Sequence, residues 1–354
     1  MQRTVNTKNL QRIRFGAGIR HELGTELSKL GGTRALLLST PQQSDIAMDL
    51  ATGLNGQIAG IYSRAAMHTP VEVTEDALAH LLDVDANCLI AVGGGSTTGL
   101  SKALALRKNL PQVVIPTTYA GSEATPILGQ TEKGVKTTLI ESRVLPDVVL
   151  YDPELVVSLP VELTVTSGLN AMAHAAEALY AHNRSEATTK QALRGLQAFI
   201  KSLPRVVECP DDLVAREETQ RGAYDCGVVL GTVGMALHHK LCHTLGGSFD
   251  LPHAQTHAIL LPHTIQFNAV EVPKLLAPLA ELFGSNQPGP ALWEFGRQLG
   301  APLKLRHFGL AESDLDAATE LALAKPYWNP RAVTAEGIRG LLHDAWSGTK
   351  PRNY

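Results

Sequence analysis

Cysteine is scarce. Four occur in 354 residues (Cys88, Cys209, Cys226, Cys242), and none stands in a CxxC spacing. That excludes a disulfide-framed secreted module and a zinc ribbon, and it fits a reducing cytosol. Charge of one sign is lacking too: there is no basic or acidic block, and the formal net charge is −3. Without a cationic patch the chain has no electrostatic grip on nucleic acid or an anionic membrane, so neither is expected as a partner. No apolar run reaches spanning length, and the opening MQRTVNTKNLQRIRFG is too polar for a secretory signal, so the expected location is cytoplasmic. What remains, 44% hydrophobic and 18% charged, is the make-up of a globular protein. A chain this long exceeds what one hydrophobic core usually supports, so two domains are expected.

The first half alternates between short apolar runs and helical periodicity. A short extended lead gives way to a helix near Ile19–Leu30, closed by Gly31 and Gly32. Strands are expected at Ala35–Ser39, Ile58–Ser63, Cys88–Val92, Val113–Ile115 and Val148–Tyr151, and helices at 45–54, Thr74–Leu82 and Thr97–Arg107. This alternation implies a parallel sheet with helices on both faces. From about Val161 strand-like runs stop. Apolar residues recur at helical spacing through 164–182, 187–203, 212–245, 254–267, 273–284, 290–299, 312–324 and 334–346. The expected division is an α/β domain over 1–157 and an all-helical domain over 158–354.

Two polar turns follow strands in the first half. Gly93-Gly94-Gly95-Ser96 opens a helix, where residues without a Cβ let backbone amides approach a diphosphate and the helix N-terminus favours its charge. A tight strand–helix turn without a ligand is the plainer alternative, and the GxGxxG fingerprint is absent. Thr117-Thr118-Tyr119-Ala120-Gly121-Ser122 follows the next strand, also where an open α/β sheet binds its ligand. After the first strand, Ser39-Thr40-Pro41-Gln42-Gln43 carries no acid to grip a ribose diol or repel a 2′-phosphate, so both NADH and NADPH are expected.

The densest chemistry lies at 234–263, GMALHHKLCHTLGGSFDLPHAQTHAILLPH, which holds six of the thirteen histidines. His239 and His243 stand four apart and share a helix face. Gly246 and Gly247 are expected to end that helix, and Asp250-Leu251-Pro252 leads into a second one carrying His253 and His257. Each histidine alone is more simply a hydrogen-bonded core residue. Six at helical spacing suggest a site, since imidazole binds borderline metals and titrates near neutrality.

GGGS at 93–96, PTTYAGSE at 116–123 and the histidine stretch together resemble the iron-containing alcohol dehydrogenase superfamily. TTYAGSEATPILGQ, VLPDVVLYDPEL, SGLNAMAHAAEALYA and GMALHHKLCHTLGGSFDLPHA look most like its maleylacetate reductase branch. The resemblance implies an N-terminal dinucleotide-binding α/β domain, an all-helical C-terminal domain with a cleft between them, and a homodimer. It also implies NAD(P)H-dependent reduction of a small dicarboxylate, maleylacetate, to 3-oxoadipate. Metal-dependent members ligate their ion at the positions of Asn170, His174, His239 and His253. Asn170 replaces their aspartate with a neutral amide, which weakens a site for a divalent cation, so no metal is expected. Gly99, where such members usually carry aspartate, and Tyr119 are further departures. By the same resemblance His243 lies beside the nicotinamide as proton donor or orienter. His239, His253 and His174 face the substrate carboxylates and the oxyanion, Tyr119 adds a hydroxyl, Asn170 orients His174, and Lys136 lies on the cofactor side with Ser39, Thr117, Thr118 and Ser122. His238 reads as structural, His257 and His263 as either core or site, and Tyr224, Cys226 and Cys242 as packing. Three alternatives stay open: a metal-dependent alcohol or polyol dehydrogenase, a carbon–oxygen lyase resembling dehydroquinate synthase, and a non-catalytic nucleotide-binding module.

Overall fold

The computed structural model describes residues 11–54 and 56–354; the part of the expected extended lead on residues 1–10 lies outside the described residues. The chain forms two compact units. The first runs to Thr118 and resumes over Ser122–Val156, and the second comprises Tyr119–Gly121 and Val157–Tyr354. The sequence expects a single break at 157/158, whereas the short stretch 119–121 belongs with the second unit.

The first unit contains β1 (Arg12–Phe15), α1 (Leu23–Lys29), β2 (Ala35–Leu38), α2 (Ser44–Thr52), β3 (Ile58–Tyr62) and α3 (Val71–Asp83). After these come β4 (Cys88–Gly93), α4 (Gly95–Lys108), β5 (Gln112–Pro116), β6 (Ile127–Glu132), β7 (Val135–Ile140) and β8 (Val148–Tyr151). Six strands form one sheet in the order β1-β8-β5-β4-β2-β3, every neighbouring pair parallel. Successive strand residues point to opposite faces. Leu37, Ile90, Val92, Val113 and Ile115 pack with Leu23, Leu27 and Ala47 on one face. Leu36, Leu38 and Leu89 pack with Ala77, Leu81, Leu100 and Leu104 on the other. Apolar side chains on both faces explain why these strands read as unbroken runs rather than as alternation.

Three features differ from the sequence reading. α3 starts at Val71, three residues before Thr74, because Pro70 itself stands at the N-cap and its carbonyl accepts from Thr74 N at 3.0 Å. α4 starts at Gly95 rather than Thr97, so the glycine turn is the first turn of the helix. β6 and β7 pair as an antiparallel hairpin that was not expected. Its signal is Lys133-Gly134, with φ of 49° and 77°, the two positive values of a tight hairpin turn.

The second unit is helical: α5 (Val161–Ala178), α6 (Glu186–Glu208), α7 (Leu213–Leu230), α8 (Leu237–Phe249), α9 (His253–Ala269), α10 (Pro273–Glu281), α11 (Pro288–Gln298), α12 (Asp314–Leu323) and α13 (Ala335–Ser347). α5 is the central helix. Every residue from Thr164 to Ala178 is buried, which is the pattern of a helix surrounded on all sides. The apolar stretch 212–245, which suggests continuous helix, is broken between Leu230 and Leu237. Gly246 and Gly247 do not end α8, as the sequence reading expects. The helix runs through both, and the left-handed residue that stops it is Asp250, φ 53°. Among the described residues no helix is long and apolar enough to cross a membrane.

Candidate active site

In the first unit the turns after β2, β4 and β5 are knitted together. The chain leaves β2 outward to β3 and returns to β4 on the other side of β2, which makes this the switch point where open α/β sheets bind ligands. Gly93 has φ 154°, and a Cβ on it would lie 2.3 Å from Thr97 Oγ1 and 2.7 Å from Gln43 Oε1. A Cβ on Gly94 would lie 2.8 Å from Thr118 Cγ2. Glycine is therefore required at both positions by close approach. Gly95 is exposed and Gly94 and Ser96 are half-buried, so the start of α4 is open to a ligand. The buried Thr97 hydroxyl beneath that turn has no partner. This is a cradle with an unfilled donor at a helix N-terminus, the usual anion-binding arrangement.

The other expected cofactor residues surround it unequally. Gln43 Nε2 donates to Thr117 Oγ1, joining the β2 and β5 turns. Ser39 is fully buried and bonds Ser63 at 2.8 Å, so its hydroxyl serves the fold. The Ser122 carbonyl accepts from Lys102 Nζ, a buried amine that also donates to the Thr125 and Ile127 carbonyls at 2.8 and 2.9 Å and fastens the loop from below. Lys136 stands in β7 opposite Thr131; the role expected of its side chain lies outside the described residues.

In the second unit α5, α8 and α9 bring their polar residues together. Asn170, His174 and Glu177 share one face of α5, and α8 supplies His238, His239, Cys242 and His243. His239 bonds His174 Nδ1 through Nε2 at 2.8 Å and Glu177 Oε2 through Nδ1 at 2.6 Å. Glu177 is the residue the sequence reading missed. Its carboxylate also accepts from the backbone N–H groups of Ala236 and His238 at 3.0 and 2.9 Å. Ala236 is the N-cap of α8 and has no side chain to cap it, so the carboxylate from α5 satisfies the helix terminus and meets its partial positive charge. The available signal was a lone acid in an alanine run, three residues after His174 and seven after Asn170.

His257 on α9 sits amid the imidazoles. Its ring centroid lies 4.4 Å from His253, 4.8 Å from His238, 5.2 Å from His239 and 6.2 Å from His174. His257 Nδ1 bonds His238 Nε2 at 2.9 Å, and His238 Nδ1 meets Thr264 Oγ1 at 3.0 Å. His238 therefore belongs to the network rather than to packing alone. His243 lies 6.1 Å from His239, ring to ring. His243 and His253 are exposed, whereas His174 and His239 are buried, so the group grades from an open rim to a closed interior. His263 bonds Tyr354 instead and shows no ring contact with the group.

One expectation needs correction. Tyr119 does not offer its hydroxyl to the imidazoles. The ring is fully buried in the helical core, edge-on to Phe199, and its oxygen bonds the buried Arg216 guanidinium at 3.3 Å. Asn170, one helical turn from His174, has its Oδ1 buried with no partner. An unpaired buried amide oxygen is costly.

Burial sets the protonation of the group. It pushes His174 and His257 well below the ordinary imidazole value, and His238 down to about 3, with the neighbouring imidazoles adding to the effect. Burial alone would raise the Glu177 carboxyl. The hydrogen bond and charge of His239, then His238 and the Ala236 amide, outweigh it and hold Glu177 at about 2.

The four positions that hold an ion in metal-dependent relatives fit one poorly here. They offer one neutral amide and three imidazoles, and two of those imidazoles turn their facing nitrogens on each other at 2.8 Å. Among the described residues, the tightest set of possible ligands is instead His238, Cys242 and His257. Burial holds the Cys242 thiol well above its usual value, and both histidines are already hydrogen-bonded, so this set is a packed polar cluster.

Residues 11–153 match the iron-containing alcohol dehydrogenase family, and residues 164–346 match the C-terminal part of the Fe-containing alcohol dehydrogenase family. A maleylacetate reductase of Rhizobium sp. (strain MTP-10005) is 55% identical over 351 residues, 99% of this chain and 100% of that protein. One from Sphingobium indicum is 47% identical over 340 residues, 96% of each chain. The crystal structure of maleylacetate reductase from Agrobacterium tumefaciens superposes with a TM-score of 0.95 at 54% identity, covering 99% of this chain and 100% of that one.

Proposed function

The chain belongs to the iron-containing alcohol dehydrogenase family, and we propose that it reduces maleylacetate to 3-oxoadipate with NADH or NADPH. Full-length likeness to maleylacetate reductases supports the substrate. The observation that carries the mechanism is Asn170, a neutral amide with an unpartnered buried oxygen, standing one helical turn from His174 in an imidazole pocket.

Maleylacetate is a dianion whose ketone is conjugated to a C=C bond. A bound dihydronicotinamide supplies hydride to the alkene carbon remote from the ketone. Negative charge then accumulates on the ketone oxygen, and a proton delivered to the adjacent carbon completes 3-oxoadipate. A ring N–H of the His174–His239 pair stabilises that oxygen by exchanging the 2.8 Å bond the two rings make to each other, and oriented donors of this kind contribute a few kcal/mol. The exposed His253 takes a carboxylate, and the exposed His243 gives or orients the proton.

His239 bonds Glu177 and His174 through its two nitrogens, and His174 also bonds the backbone of Ala120. We propose that no metal takes part, because the pocket offers no anionic oxygen at the Asn170 position. An exposed free thiol at Cys209 supports a reducing cytoplasm, and a homodimer follows from the resemblance.

The test is NADH oxidation with maleylacetate and identification of the product. One NADH should be consumed per 3-oxoadipate formed. No oxidation, or a product alcohol that keeps the C=C bond, sinks the reading and favours an alcohol dehydrogenase.

A further inference from the structure

Tyr327 lies between α12 and α13, outside any motif singled out in the sequence. Its ring packs on the apolar cluster built around Leu237 and Leu241 of α8, and Lys240 Nζ stands 5.7 Å from the ring centroid. Lys240 directly follows His239 and precedes His243 by three residues, so the ring rests on the helix that carries the site.

The loop that bears Tyr327 is tied to the same carboxylate that anchors His239. Tyr180 donates its hydroxyl to Glu177 Oε1 at 3.1 Å and also bonds Asn268. Asn268 and Asn329 exchange two side-chain hydrogen bonds, at 3.0 and 2.7 Å. Arg331 donates to the Phe267 carbonyl at 2.8 Å and lies over the Phe267 ring. Positions 329 and 331, two and four residues past Tyr327, are thereby fixed to the end of α9.

The Tyr327 hydroxyl is buried and has no hydrogen-bond partner. A buried donor left unpaired costs about 1–3 kcal/mol, and phenols in protein interiors usually find a partner. Burial, and then the charge of Glu177, raises its pKa to about 12, so it stays a neutral O–H donor at any working pH.

We propose that Tyr327 is a further substrate-binding residue, whose hydroxyl donates to a carboxylate of the dianion held by the histidine group. The inference rests on the reading of the substrate above. A phenol donor complements the imidazoles, because its proton does not depend on pH.

The test is Tyr327→Phe, which deletes the hydroxyl and keeps the ring. The KM for maleylacetate should rise about tenfold or more, the range for a hydrogen bond to a charged group. The kcat should hold within about twofold, the KM for NADH should not change, and Tm should stay level or rise, since an unsatisfied polar atom has gone. An unchanged maleylacetate KM overturns the inference, and so does a fall in Tm, which would mean the hydroxyl has a partner within the protein. If the unmodified protein does not reduce maleylacetate, the reading of the substrate fails and this inference with it. If the unmodified protein does and the variant matches it, only the inference fails.

Discussion

Glu177→Gln is expected to lower kcat/KM for maleylacetate by about a hundredfold, roughly 2.7 kcal/mol of transition-state stabilisation. The carboxylate touches no substrate in this account. It fixes which nitrogen of His239 carries a proton toward α5. Losing such an orienting group costs orders of magnitude in other imidazole sites even where geometry is kept. Stability should fall with activity. The folded-state carboxyl, at about 2, lies below its ordinary 4.5, a difference on the order of 3 kcal/mol. A depressed acid stabilises the fold fully above its unfolded value and loses that contribution as pH falls through its folded value. The Tm gap between the unmodified protein and Glu177→Gln should therefore be widest above about pH 5 and close as pH drops toward about 2. A variant with unchanged kcat/KM, or a gap that widens in acid, contradicts the role given to Glu177.

Asn170→Asp should have an effect of similar size through charge rather than positioning. The substitution puts a buried anion among the imidazoles, in a pocket read as a receptor for a dianion. At about 5 Å and an effective dielectric of about 20, each like-charge pair costs about 3 kcal/mol. The kcat/KM for maleylacetate should fall at least about a hundredfold, while affinity for Zn²⁺ or Fe²⁺ should rise, since carboxylate completes a stronger ligand set. Titration of the variant with Zn²⁺ and a maleylacetate assay on the same preparation read both arms. Activity kept within about threefold, roughly 0.7 kcal/mol, would show that the charge at this position does not matter to the substrate.

Much of this was legible in the chain itself. Apolar runs ending in glycine or polar turns marked the parallel strands, because both faces of the sheet are covered and strand composition needs no alternation. The i, i+4 pairs His239–His243 and His253–His257 marked the two helices of the site. Other features were hidden for physical reasons. Gly246 and Gly247 look like a stop, yet a helix tolerates glycine where nothing else ends it, and Asp250 supplied the left-handed residue. Glu177 escaped notice because its partners, the Ala236 and His238 amides, lie about sixty residues away and exist only once α8 has formed. Tyr119 looked like a site residue because it departs from the pattern of the metal-dependent relatives, but Arg216, far along the chain, claims its hydroxyl. His257 could not be assigned from spacing alone. Its central place depends on how α9 packs against α5 and α8.

The most direct measurement is elemental analysis of protein purified without added transition metals, paired with turnover before and after exhaustive chelation. We expect well below one ion of zinc or iron per chain and no loss of maleylacetate reduction on chelation. A stoichiometric ion whose removal abolishes turnover, and whose return restores it, would contradict the account.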